Sequence, residues 1–191
     1  LTAEAAEMTA QAAASQVLVI NSYHPGFTWT DKVMNGLRAE FQAVYPKAEL
    51  HVEYMDAKRH SSAAIEQRFA DLLRAKHARD GYRLVITSDD RALELALKLR
   101  PSLFPAIPIV FCGLNGPPGQ VIRGSKAVTG VTETWDPAGT LRIIERLQPE
   151  VNQIVVIHDY TESGLGTRLN LEAVMPAFDK RFNFRFLPPL P

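Results

Sequence analysis

The chain has 191 residues, 46% hydrophobic and 22% charged, and its 21 basic and 21 acidic side chains cancel at neutral pH. This composition excludes a disordered or collagenous chain, and the balanced charge gives no argument for nucleic acid or an anionic membrane. No apolar run is long enough to span a bilayer, and the lone cysteine, Cys112, excludes an internal disulfide and a cysteine-based zinc site.

Residues 1–15, "LTAEAAEMTAQAAAS", are Ala-rich and lack the basic start and apolar stretch of an intact signal peptide. They read as a tail, such as the edge left by signal cleavage, or as a piece of an N-terminal helix. "QVLVIN", 16–21, is apolar at consecutive positions, as a strand buried on both faces should be. A helix is predicted from about Thr30, with Thr30 as its cap, Val33, Leu37 and Phe41 on one stripe, and a stop before Pro46. "AELHVEYMD", 48–56, alternates Leu50, Val52 and Tyr54 on one face and suits a strand near a sheet edge. Ser61 or Ser62 then caps a helix that turns Ile65, Phe69, Leu72 and Leu73 inward. "YRLVITSDD", 82–90, is a third strand, and Asp89 or Asp90 caps the helix after it.

"IPIVFCGLNG", 107–116, is a fourth strand running into a Gly/Pro-rich loop, and "AVTGVTETWD", 127–136, is a short strand or an extended crossing segment. Asp136 and Pro137 open a helix that buries Leu141, Ile144 and Leu147. Residues 152–167 begin strand, loop and helix again, and "RFNFRFLPPLP" starts one more strand. Strands alternating with helices imply an α/β fold with a parallel sheet and helices on both faces. Its carboxyl-end loops, 22–29, 56–61, 88–90, 113–119, 133–136 and 159–166, then line one edge, which is where open parallel sheets bind ligands.

Three enzyme chemistries fit poorly. "GLNGPPG" lacks the Gly-Lys-Ser/Thr ending of a phosphate-binding loop, and Pro117 and Pro118 remove two amide donors. Asp89 and Asp90 suggest a phosphate-accepting receiver, but the first strand ends in Asn21 and Ser22 where magnesium would need acids. Ser22, Ser88, His24, His158 and Asp159 include the residue types of an acyl-transfer site, yet no Gly-x-Ser-x-Gly elbow is present. His51, His60 and His77 fall in a strand, a loop and a polar helix face, and no two histidines have metal-ligand spacing, so neither a metal nor a cofactor is expected. What remains is a rim rich in rings, amides and hydroxyls. Most of the rings come from "NSYHPGFTWTD", 21–31, where Asn, Gly or Ser would suffice for a turn. For Phe27 and Trp29 the alternative role is to staple the loop to the first helix.

The succession "VLVINSYHPGFTWTDKVMNGLRAEF", "VEYMDAKRH", "LVITSDDRALELAL", "IPIVFCGLNG" and "VTGVTE" resembles the extracytoplasmic sensor domains of bacterial histidine kinases and cyclic-di-nucleotide enzymes. These are similar to ABC-transporter substrate-binding proteins with a type I periplasmic binding fold. The resemblance covers residues 16 to about 180, and "SYHPGFTWTD" and "FCGLN" are its most specific parts. It implies a first α/β lobe over 16–131, then a crossing segment and partial second lobe over 132–191, with a small molecule held between lobes that close on a hinge. By the same resemblance Tyr23, His24, Phe27 and Trp29 line the cleft. They are joined by Ser88 and Asp89, Gly113 and Asn115, Glu133 and Thr134, and, from "DYTESGLG", Asp159, Thr161 and Gly164.

The expected ligand is a small organic molecule, an amino acid or an aromatic metabolite, with any carboxylate met by helix N-terminal amides near residues 90 or 163. The domain itself is expected to be non-enzymatic, to be periplasmic or extracytoplasmic as part of a membrane-anchored protein, and to work with a membrane-anchored signalling or transport partner. Transport in place of sensing is the alternative, and a small α/β hydrolase using His24 with Asp89 or Asp159 is a further one. Two full lobes need more chain than 191 residues. The apolar face of a partial lobe leads to the expectation of a homodimer or strand exchange.

Overall fold

The structure is a computed structural model that describes residues 16–78, 81–115 and 118–188. The expected tail or helix at 1–15 lies outside them, as does part of the Gly/Pro-rich loop at 116–117. The chain divides into two compact units, the first ending at Glu133 and the second beginning at Thr134.

The first unit is a five-stranded, wholly parallel sheet in the order β2-β1-β3-β4-β5, made of β1 (Gln16–Asn21), β2 (Glu49–Tyr54), β3 (Leu84–Ser88), β4 (Ile109–Leu114) and β5 (Val128–Thr132). Connections are helical: α1 (Thr28–Val44), α2 (Ala63–His77), α3 (Asp89–Leu103) and the short α4 (Pro118–Ile122). "VLVI" is apolar on consecutive positions because both faces of β1 are covered. Leu18 and Ile20 join a core with Leu73 of α2 and Leu93, Ala96 and Leu99 of α3, while Val17 and Val19 pack with Met34, Leu37 and Phe41 of α1. β2 is an edge strand, and its Leu50 and Val52 meet the α1 side as the alternation predicts. Segment 127–136 resolves into a true fifth strand, hydrogen-bonded to β4.

Several local expectations change. α1 begins at Thr28, and Thr30 is fully buried inside it, not its cap. The acid at Asp31 does the ordering instead, its Oδ1 accepting the Gly26 N–H at 3.0 Å. Ser62 caps α2 as expected, accepting from the Ile65 amide, but Ile65 and Leu72 are exposed, because α2 turns Ala70, Leu73 and His77 inward. His77 therefore leaves the polar face. Its Nε2 lies 2.9 Å from Glu53 Oε1 and its Nδ1 2.6 Å from the Tyr82 hydroxyl. Lys76 also bonds Glu53; burial alone would raise this carboxyl, but the hydrogen bonds from Lys76 and His77 hold it below its usual range.

In the second unit, β6 (Gln153–Val156) and β7 (Asn183–Phe186) pair in parallel, and α5 (Pro137–Leu147) and α6 (Glu162–Val174) supply the helices. Asp136 caps α5 by accepting the Gly139 N–H at 2.7 Å. Leu141, Leu171, Phe178 and Phe182 form its core, with Ile144 against them. Leu147, expected inside, is 76% exposed at the helix's last position.

Candidate functional site

Register decides which residues meet. Asn21 at the end of β1 pairs across to Tyr54 of β2 and Ser88 of β3, and Ser88 to Cys112 of β4, so three strands end level and β4 runs two residues further before all release their loops at one edge. That edge is locked by buried hydrogen bonds. The Ser88 hydroxyl donates to Asn21 Oδ1 (2.8 Å), and the Ser22 hydroxyl donates to the Ser88 carbonyl (2.8 Å) while accepting the Ala92 N–H (2.9 Å). The hydroxyl that satisfies α3's first turn thus comes from the end of another strand, and neither Asp89 nor Asp90 is its cap. Ser88, expected to face ligand, spends its hydroxyl on the lock and is 1% exposed.

The aromatic loop sits on this platform. Pro25 and Gly26 make the bend, with Gly26 at φ +88°. Tyr23 is buried and meets Phe27 and Trp29 edge-on at ring-centre distances of 5.2 and 6.0 Å, and His24 lies 5.8 Å from Phe27. His24, Phe27 and Trp29 are half-buried. Gly113, at φ +76° near the end of β4, lies directly beneath Trp29; a Cβ there would stand 2.5 Å from the indole Cζ2. The β2 loop adds two residues that the sequence reading did not single out. Lys58 holds its ammonium over the Tyr23 ring, 5.2 Å from the centre, and Asp56, at φ +58°, lies 3.1 Å from His24 Nδ1 with poor hydrogen-bond alignment. Their sequence signal was position alone, at a strand tip in "MDAKRH". Asp56 also accepts from Arg59 Nε at 2.7 Å, and this bond holds its carboxyl below the usual range despite some burial.

Asp89 opens α3 at φ +70°, 7% exposed. Burial pushes its carboxyl up to about 6, with the Asp90 charge adding to the rise and the Tyr23 hydroxyl, which bonds it, opposing. Its Oδ1 accepts the Asp90 N–H at 2.8 Å. Asp90 in turn holds Asn115, accepting from the side-chain amide at 2.6 Å and the backbone N–H at 3.3 Å. The first amides of α3 at 90 and 92 are therefore taken, which removes them as a cradle for a ligand carboxylate. Burial, helped by the charges of Asp89 and Glu133, pushes the Cys112 thiol up and away from the nucleophilic thiolate form.

The structure thus gathers Tyr23, His24, Phe27, Trp29, Ser88, Asp89, Gly113 and Asn115 at one edge of the first unit. Glu133 closes that unit, exposed, its N–H bonded to Leu114 O at 2.9 Å. Thr134 is exposed where the second unit begins. Asp159, Thr161 and Gly164 form a helix start: Asp159 Oδ1 accepts the Thr161 N–H at 3.1 Å, and Thr161 Oγ1 accepts the Gly164 N–H at 3.4 Å. Gly164 is required there, since a Cβ would meet Asp159 Oδ1 at 2.1 Å. The acid beside His24 is Asp56, whereas the hydrolase reading needed Asp89 or Asp159. Among the described residues, no group of three His, Cys, Asp or Glu side chains is arranged to hold a metal, and no helix is long and apolar enough to cross a membrane.

No family model matches the chain, and no match was found among curated proteins. Solved structures do match. An ABC domain in complex with L-Trp from Streptococcus pneumonia superposes with a TM-score of 0.60 at 17% identity, over 91% of this chain and 57% of that one. A conserved domain protein from Vibrio cholerae gives 0.63 at 17% identity, over 93% and 58%. A solute-binding protein of an ABC transporter from Rhodopseudomonas palustris, in complex with 3,4-dihydroxy benzoic acid, gives 0.55 at 14% identity, over 92% and 48%. The chain spans less than three-fifths of each of these structures. At such identities the likeness is one of fold: a parallel α/β sheet flanked by helices, as in substrate-binding proteins of the periplasmic type.

Proposed function

We propose that this chain binds a small organic molecule at the carboxyl edge of its first sheet, as the extracytoplasmic sensor domain of a bacterial signalling protein. The observation that carries the reading is the cluster of Tyr23, Phe27 and Trp29 packed edge to face on a locked strand edge, with the half-buried rings of Phe27 and Trp29 left for contact. In this reading Trp29, Phe27 and His24 supply contact area, Asn115 and Asp89 orient polar groups, and Tyr23 braces the loop from below. Glu133, Thr134, Asp159, Thr161 and Gly164 are further ligand-binding residues in this reading. Ligand binding would be the signal, passed to a membrane-anchored partner.

A substrate-binding role in ABC transport is the second reading, favoured by the fold neighbours, one of which is described as a transporter's solute-binding protein. Both readings share the site and make the domain a binder without catalysis. The test is calorimetry with an aromatic panel that includes L-tryptophan and 3,4-dihydroxybenzoate. Binding by the wild-type chain, with affinity lost at least tenfold in Trp29→Ala while the far-UV circular dichroism is kept, supports the site. Full affinity in Trp29→Ala overturns it.

A further inference from the structure

We infer that residues 1–15 of this chain dock into an apolar groove at the amino-terminal edge of the first sheet, the edge opposite the aromatic loop. Leu1 and Met8 meet its rings, and Glu4 and Glu7 face its two cations.

The groove, of about 610 Å³, lies where α1 ends and the strands begin. Phe41, Tyr45 and Pro46 line it from the end of α1, and Val17 of β1 and Leu84 of β3 line it from the sheet. The Phe41 and Tyr45 rings are 5.9 Å apart, and Tyr45 is 63% exposed. A contiguous apolar surface of this kind marks a place where something binds. Its charged lining is wholly basic. Lys47 and Arg83 are both exposed, and among the described residues neither pairs with an acid.

The point at which the chain enters the sheet identifies the occupant. Gln16 opens β1, its carbonyl accepting the Arg83 N–H at 3.0 Å, and Val17 beside it pairs with Leu50 and Leu84. The fifteen residues before Gln16 are therefore tethered at the groove itself. A short tether holds its segment at an effective concentration in the millimolar range, so modest contacts suffice and a second copy competes poorly.

The sequence of the segment matches the groove in both apolar pattern and charge. Leu1, Ala5, Met8 and Ala12 recur at the spacing of one helix face, and Glu4 and Glu7 flank that face with no base in the segment. Two acids without a base thus lie beside two cations without an acid. A 15-residue helix is marginal in water unless its apolar face is covered, and the groove offers cover next to its last residue. Met8 suits this role, because an unbranched thioether adapts to the edges of rings.

The experiment measures oxidation of Met8 by hydrogen peroxide in the 191-residue chain at pH 7.5, read by mass spectrometry against a synthetic peptide of residues 1–15. Met8 is expected to oxidise about tenfold more slowly in the chain, the protection of a segment docked about nine-tenths of the time. In Tyr45→Ser, and in Lys47→Glu with Arg83→Glu, the rate should rise to within about twofold of the peptide. Met34, 2% exposed in the core, should stay protected in every variant and so reports that the fold is kept. Equal Met8 rates in the wild-type chain and the peptide overturn the docking. Protection retained in Tyr45→Ser overturns the groove as its place, and protection retained in the charge-reversed variant overturns the pairing of Glu4 and Glu7 with the two cations. Protection lost on tenfold dilution shows a second copy as the occupant and overturns docking within one chain.

Discussion

Gly113→Ala tests whether the aromatic loop is held by the sheet or merely lies near it. Gly113 has φ +76°, and a Cβ there would stand 2.5 Å from Trp29 Cζ2 and 2.8 Å from Cη2. Carbon atoms at rest sit roughly 3.5–4.0 Å apart, so the indole must move by about 1 Å or more. The left-handed backbone costs an alanine about 1–2 kcal/mol, and forcing the ring out of its seat costs about 1–3 kcal/mol more. A loss of about 2–5 kcal/mol in urea unfolding is expected, with a shift in Trp29 emission read in a Trp135→Phe background, where it is the remaining tryptophan. The displacement should reach Tyr23, whose ring meets Trp29 edge-on. A loss below about 0.5 kcal/mol with unchanged emission would show that Trp29 does not rest on β4, and the site geometry would fall with it.

Ser22→Ala removes the acceptor of the Ala92 N–H and a donor to the Ser88 carbonyl in a place without water access, so about 2 kcal/mol should be lost, against about 1 kcal/mol or less for the surface cap in Ser62→Ala. Equal losses in the two urea titrations would contradict the lock. Asp89 gives a pH signature of defined sign: its folded value near 6 lies above the ordinary 3.8, so between those values the native state binds more protons than the unfolded one and stability falls as pH rises. The penalty approaches about 3 kcal/mol above pH 6, and Asp89→Asn should be the more stable protein there, with the gap closing toward pH 4. A gap that widens on acidification would refute the assignment. In the second unit, Leu141→Ala should cost about 2–5 kcal/mol and Leu147→Ala less than about 0.5 kcal/mol, since the first is 3% and the second 76% exposed.

The order of strands and helices was legible in the sequence because local physics writes it. "VLVI" is unbroken where both faces of β1 are covered, Leu50 and Val52 alternate where β2 is an edge, and Ser62 and Asp136 cap their own helices through bonds three residues long. Helix faces were less legible where apolar residues outnumber the buried positions. Ile65, Leu72 and Leu147 have the right character but fall outside the stripe that the sheet covers, and His77 has a polar character yet meets Glu53 and Tyr82 inside it.

The sequence by itself determined the α/β alternation, the parallel sheet it implies and the loops in which the chemistry would lie. Tertiary structure decided what each residue in those loops does. Ser88 became part of a lock because register sets it beside Asn21, and Ser22 became the cap of a helix 70 residues away. Gly113 became the seat of Trp29, and Asp56 the partner of His24, because β4 runs just past the end of β1 and β2 ends level with it. Spacing along the chain carries periodicity, which depends on neighbours three or four residues apart. The burial of the Asp89 carboxyl beside Tyr23 depends on loops from different strand tips and exists only once the sheet has brought them together.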